Sequence, residues 1–166
     1  MNLAQNLRGV GSSLLVLAMM MGTVRAIPPP PPDDVRIVRV LDGNTILVSA
    51  YGDPFKVRLA CLHSLQLQEG SAGQAAKAAL ESLLQPGIWV TLGMRSKDPE
   101  GVESAEIILH GLTVPINLRL LRDGMAMIER NDWNRCDQVS YREAELIAKR
   151  NRLGLWARPI GGNQLR

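Results

Sequence analysis

The stretch Arg58-Leu-Ala-Cys-Leu-His-Ser-Leu-Gln66 decides the fold. It reads as the end of a strand that carries an arginine and then exits sharply into polar residues. Residues 55–62 form the body of that strand, the third of three short ones. Upstream, Val35-Arg-Ile-Val-Arg-Val-Leu41 alternates apolar with charged residues, as a half-buried strand does. Asp42-Gly43 supplies a turn, and Thr45-Ile-Leu-Val-Ser49 returns as a second strand rich in β-branched residues. Tyr51-Gly-Asp-Pro54 makes the next turn. Strands joined in this way predict a meander or a small barrel.

Downstream the period changes. Ala75, Ala76, Ala79, Leu80, Leu83 and Leu84 recur at helical spacing and predict a helix over 73–84, which Pro86-Gly87 stops. Residues 88–92 and 105–109 read as the fourth and fifth strands, with a charged loop over 96–103 between them. A short helix follows over 116–122, then an extended piece over 124–128. The last helix starts at Ser140 and carries Tyr141, Ala144, Glu145, Ala148 and Lys149 on alternating faces. Leu153-Gly-Leu-Trp156 closes it, with Leu155 and Trp156 anchoring its end in the core and Trp89 in or near the core. This order predicts an α+β fold, a five-stranded OB-type β-barrel with three helices.

The formal net charge is +3, from 19 basic and 16 acidic residues. Residues 1–26 hold Arg8 and Arg25 and no acid, so the remainder carries 17 basic against 16 acidic residues. That near-neutral balance is weak support for nucleic-acid binding on charge alone. Arg8 precedes an apolar run over 14–21, and Val24-Arg25-Ala26 offers a cleavage site, so 1–26 reads as a secretory signal peptide. The run falls short of the roughly 20 residues that span a bilayer. Pro28 to Pro32 predict an extended spacer over 27–34. A folded domain over 35–158 and a tail over 159–166 follow. The mature chain is expected to be secreted or periplasmic, off the membrane once the leader is cleaved, and monomeric. Such a compartment permits a disulfide between Cys61 and Cys136, with two buried thiols as the alternative.

Several pieces act together over residues 35–156. They are Val40-Leu-Asp-Gly-Asn-Thr45; Val57-Arg-Leu59 with its exit turn; Asp98-Pro-Glu-Gly101 ahead of Ala105-Glu106; Asn117-Leu118 with Gly124-Met-Ala126; and Ala144-Glu145 with Leu153-Gly-Leu-Trp156. In order and spacing they resemble a thermonuclease (staphylococcal-nuclease-like) domain. The resemblance implies the SNase-like fold and calcium-dependent hydrolysis of DNA and RNA phosphodiesters. Calcium takes hard oxygen ligands and would polarise the phosphoryl group. A carboxylate would activate water, and arginines would clamp the phosphate.

Carried over residue by residue, that pattern is mostly substituted. The family's turn acid, a metal ligand, falls on Asn44, and its second metal-binding Asp on His63. The Thr that gives a backbone oxygen falls on Ser64 and the next Pro on Leu65. The catalytic Glu falls on Gln66, which cannot take a proton from water, and the second clamping Arg on Val102. The first clamping Arg stands as Arg58. The resemblance therefore implies a degenerate metal site at Asn44, His63 and Ser64, with no metal expected there. A register slip that would recruit Glu69, Glu100 or Glu103 conflicts with the apolar pattern on either side. The resembled fold also brings the regions of Cys61 and Cys136 near each other, which implies a bridge.

Bland readings stand beside the sharp ones. Asp42 makes a turn or ligates a metal. His63 is a solvated turn residue, or joins Asp42 or Asn44 on a softer metal. Arg58 contacts a phosphate or a structural carboxylate. Arg95, Lys97, Arg130, Arg135 and Arg142 form a basic surface or, mixed with nearby acids, an ordinary solvated face. Trp133 stacks a base or covers the barrel. Two functions follow. One is an exported, catalytically defective thermonuclease-like protein without a cofactor, binding single-stranded nucleic acid or a protein partner. The other is an active calcium-dependent endonuclease with displaced catalytic groups. The missing carboxylates favour the first.

Overall fold

Five strands close on themselves in the computed structural model, which describes residues 33–64, 70–97, 101–131 and 133–157. β1 (Asp34–Val40), β2 (Thr45–Ala50) and β3 (Asp53–Leu59) form an antiparallel meander. β6 (Glu103–Leu109) runs parallel to β3, and β5 (Trp89–Lys97) joins β6 back to β1. Outside the barrel, β4 (Leu62–His63) pairs with β7 (Met127–Ile128). Three α-helices complete the fold: α1 (Ser71–Leu83), α2 (Ile116–Arg122) and α3 (Gln138–Arg150). The architecture is the α+β, five-stranded barrel with three helices that the sequence predicts.

The core follows from strand alternation. Val35, Ile37, Ile46, Val48, Val57, Leu59, Val90, Leu92, Ala105 and Ile107 point inward, each at most 3% exposed. Leu80 of α1, Leu120 and Leu121 of α2 and Tyr141 of α3 join the same cluster. One buried polar side chain, Asn117 of α2, ties helix to barrel. Its Oδ1 accepts from Ile107 N–H at 3.0 Å, and its Nδ2 donates to the carbonyls of Ala60 at 3.0 Å and Ala105 at 3.5 Å.

Gly124 and Gly154 also meet. Each has a positive φ, and a Cβ on either would lie 2.3 Å from the carbonyl oxygen of Leu153 or Gly124 respectively. Leu155 N–H donates to Gly124 O at 2.8 Å across this contact. Only glycine allows the two backbones so close.

Several element boundaries differ from expectation. The third strand does not run to 62. It ends at Leu59, Cys61 takes a left-handed φ of 60°, and the chain re-enters a separate strand at Leu62. β5 extends past 92 to Lys97 through a register shift between Gly93 and Ser96, which shortens the charged loop. α3 begins at Gln138 rather than Ser140, because the Asp137 carboxylate caps it by accepting from the Val139 and Ser140 N–H groups. Trp89 is not core: it is 46% exposed on the outer side of β5, beside fully buried Val90. There Arg36 lies 5.2 Å from its ring centroid and His110 stacks against it at 6.2 Å. Leu155 and Trp156 are half-buried rather than core, and Lys149 Nζ sits 4.5 Å from the Trp156 ring. The leader, the prolines of the spacer and the tail over 159–166 lie outside the described residues, as does the side chain of Trp133. Among the described residues no helix is long and apolar enough to cross a membrane.

Two outcomes are expected. Asn117→Ala orphans the Ile107 N–H and the Ala60 carbonyl, each costing about 1–3 kcal/mol, so urea unfolding should show a clear loss of stability. The Ser140 hydroxyl, and then the backbone N–H groups, hold Asp137 below the usual carboxylate range. A depressed folded pKa contributes stability above the unfolded value that is lost as pH falls through the folded one. The advantage in Tm of wild type over Asp137→Asn should therefore be full at neutral pH and vanish in acid.

Candidate site at the exit of the third strand

Val57 and Leu59 are buried in the barrel, so Arg58 between them faces outward and is exposed. It pairs with Thr45 on β2 and with Ser104 on β6, which continues to Ser96 on β5. Arg58 therefore stands in an outward row of hydroxyl side chains. Ser104 faces outward yet is only 5% exposed. Arg135 covers it, donating from Nη2 to Ser104 Oγ at 2.8 Å and from Nη1 to Met94 O at 2.6 Å. Arg58, as cross-strand neighbour, and the Arg135 guanidinium thus flank one serine.

The nearby acids are engaged. Glu103 accepts from Arg95 Nε at 2.8 Å, and that pairing holds the Arg95 pKa above its ordinary value. Glu106 accepts from the Tyr141 hydroxyl at 2.8 Å. Burial, and then the Glu106 charge, push the Tyr141 pKa up, so it stays a neutral donor.

The exit turn is held from several sides. Leu59 N–H donates to Asn44 O, and Asn44 Nδ2 donates to Leu62 O at 3.0 Å. Asp42 Oδ1 accepts from Asn44 N–H at 2.8 Å, the ordinary work of a turn aspartate. Ser64 is buried, and its hydroxyl donates to Met125 O at 3.3 Å. His63 is half exposed, with Nδ1 3.8 Å from Glu129 Oε2. Glu145, buried at 9% exposure, accepts from Ile128 N–H and from Lys149 Nζ, which steadies β7 and so its partner β4. Cys61 and Cys136 form a disulfide with Cα atoms 6.5 Å apart, joining the turn to the residue before the Asp137 cap.

A family model of staphylococcal nuclease homologues matches residues 56–158. The chain belongs to that family. No curated protein matches it. The matched span of this staphylococcal nuclease homologue covers Arg58, the exit turn, Val102 and Arg135. It begins after Asn44, which the β2–β3 pairing places at the same turn.

The calcium that the family implies can be tested against the donors present. Asn44 offers one neutral oxygen, Oδ1, which is buried and has no hydrogen-bond partner. His63 offers a nitrogen, and Ser64 offers its backbone oxygen, its hydroxyl being committed to Met125. Among the described residues no three His, Cys, Asp or Glu side chains gather as a metal site. Calcium wants six to eight hard oxygens, and this set does not fit it.

Asn44, Arg58, His63 and Ser64 come together around the exit turn. Val102 is half-buried one residue ahead of β6. Gln66, with Leu65 and Glu69, lies outside the described residues, as does Glu100. Arg135 is the side chain that sequence reasoning passed over as one more loop cation. Its neighbour Cys136 carries the signal: bonded to Cys61, it fixes Arg135 beside the end of β3.

That bond closes a separation of 75 residues. On the chain-entropy view such a loop contributes about 4 kcal/mol. Urea unfolding of Cys61→Ala/Cys136→Ala beside the oxidised wild type should show a loss of that order.

Proposed function

We propose that this staphylococcal nuclease homologue is a catalytically defective, exported protein that binds single-stranded nucleic acid at the Arg58 site. One observation carries the reading. Arg58 and Arg135 flank Ser104 on an outward hydroxyl-bearing row, while the acid positions of the adjoining turn hold Asn44 and His63. Guanidinium groups bind phosphate oxygens through charge-assisted hydrogen bonds. Hydrolysis needs in addition a base for the water and a Lewis acid or equivalent for the developing charge. Asn44 and His63 bring no negative charge to hold calcium, and Gln66 replaces the base. A protein partner is the competing occupant, and an active metal-dependent endonuclease is the competing chemistry. The leader and proline spacer support a secreted or periplasmic location, off the membrane once the leader is cleaved.

The mature chain is to be mixed with labelled DNA and RNA in calcium, in manganese and in chelator, and anisotropy titrations with a single-stranded oligonucleotide run at several salt concentrations. The expected result is no metal-dependent cleavage, with affinity that falls as salt rises and drops several-fold in Arg58→Ala. Metal-dependent turnover at ordinary nuclease rates would restore the endonuclease reading. Absence of any salt-dependent binding would instead favour a protein partner.

A further inference from the structure

The outer face of the meander carries a second group of cations that the exit turn does not use. β1 has a bulge between Ile37 and Arg39, which turns Arg39 outward opposite Leu47. Leu47 in turn pairs with Lys56 on β3. Arg39, Leu47 and Lys56 therefore form an outward row beside the row of Thr45, Arg58 and Ser104. Arg39, Lys56 and Arg58 are all exposed. Strand spacing of about 4.8 Å and a rise of about 3.4 Å per residue set the three α-carbons within roughly 12 Å of one another.

The meander's acids stand at its ends. Asp34 accepts from Thr91 and lies 3.3 Å from His110, Asp42 accepts from Asn44 N–H, and Asp53 sits at the hairpin. Off the meander's outer row, Arg95 pairs with Glu103 and Asp33, Lys77 with Glu81 and Lys149 with Glu145. Arg36 lies over Trp89 and takes no part in the row.

The tip of the β2–β3 hairpin adds a second, independent observation. Ala50 pairs with Asp53, so Tyr51 and Gly52 form the whole turn, with φ of 52° and 97°. A turn with both central residues at positive φ favours Asn-Gly or Gly-Gly. A bulky tyrosine is strained there, and at 90% exposure it gains no packing in return. An aromatic held in water at a conformational cost is suited to stacking on a flat ligand.

We infer that single-stranded nucleic acid lies across the outer face of the β1–β2–β3 meander, with its phosphates on Arg58, Lys56 and Arg39 and a base on Tyr51. The inference rests on the proposed function and extends it from one anion site to a track. Charge selects a polyanion, and the exposed tyrosine selects one with unstacked bases. Double-stranded nucleic acid, whose bases are stacked and paired, satisfies only the first.

The test is anisotropy with a fluorescent oligothymidylate against its duplex, over a series of salt concentrations, with circular dichroism to check folding. Arg39→Ala/Lys56→Ala should weaken single-strand binding about tenfold or more at low salt. It should also flatten the slope of log K against log salt by about 1.4, since each lost phosphate contact removes ~0.7. Tyr51→Ala should weaken binding about fivefold or more with the slope unchanged. Lys77→Ala, on α1 and paired with Glu81, is the control that should bind as wild type does. If wild type binds and Arg58→Ala weakens it while the Arg39, Lys56 and Tyr51 variants match wild type, the track is overturned and the Arg58 site stands. Preference for the duplex overturns the track as well. No binding by wild type overturns both.

Discussion

The amide of Asn117 is the contact on which the rest of this structure depends. In a five-stranded barrel the parallel pair is the weak seam, because its strands come from distant parts of the chain and no hairpin fixes their register. Here β3 and β6 form that seam, and Asn117 sits where it opens, accepting from Ile107 and donating toward Ala60 and Ala105. A fully buried amide in contact with both strands admits one register and one seating of α2. An apolar residue there would leave the ends of the seam without partners. The exit turn, which starts at Ala60, inherits its position from this amide.

The turn itself shows what the substitutions change physically. Asn44 Nδ2 donates to the Leu62 carbonyl, a bond that an aspartate could not make, since both groups would be acceptors. With the amide in place, the turn is drawn closed by its own side chain. The disulfide and the β4–β7 pair hold the other end. In a site built to hold a cation, converging carboxylates repel one another until the ion arrives. This turn has internal hydrogen bonds in place of that arrangement, and Asn44 Oδ1 is left buried without one.

Much of the barrel was legible in the sequence because strand alternation and turn residues act locally. Alternating apolar residues mark β1, and Asp42-Gly43 and Tyr51-Gly52 mark its turns. The break at Cys61 was hidden, because a left-handed φ at a cysteine leaves no compositional trace and the run to Leu62 is apolar throughout. Trp89 misled for a related reason. Its size suggests burial, but its parity with Val90 places it outside, where Arg36 and His110 cover its faces. The start of α3 was displaced by two residues because Asp137, not Ser140, makes the cap. At the site, Arg58 and the neutral Asn44 and His63 could be read directly. Arg135 could not, since it reaches Ser104 across 31 residues, from beside the disulfide at Cys136.

Retaining Arg58 without the acids has a definite consequence for energetics. Arg58 meets a phosphodiester through the same oxygens before reaction as at the transition state, and only the charge that grows on them between the two adds to its hold. The part of that hold already present in the ground state lowers the free energy of the complex and leaves the barrier from it unchanged. What distinguishes the transition state is the attacking water losing its proton and the extra charge on the phosphoryl group. Those changes are met by a base and a metal ion, and the donors around this turn suit neither. On the proposed function, a cationic face whose acid positions hold Asn44 and His63 serves as a holding surface. The same loss removes negative charge that would otherwise oppose the phosphates, so affinity and catalysis are pushed in opposite directions by the same substitutions.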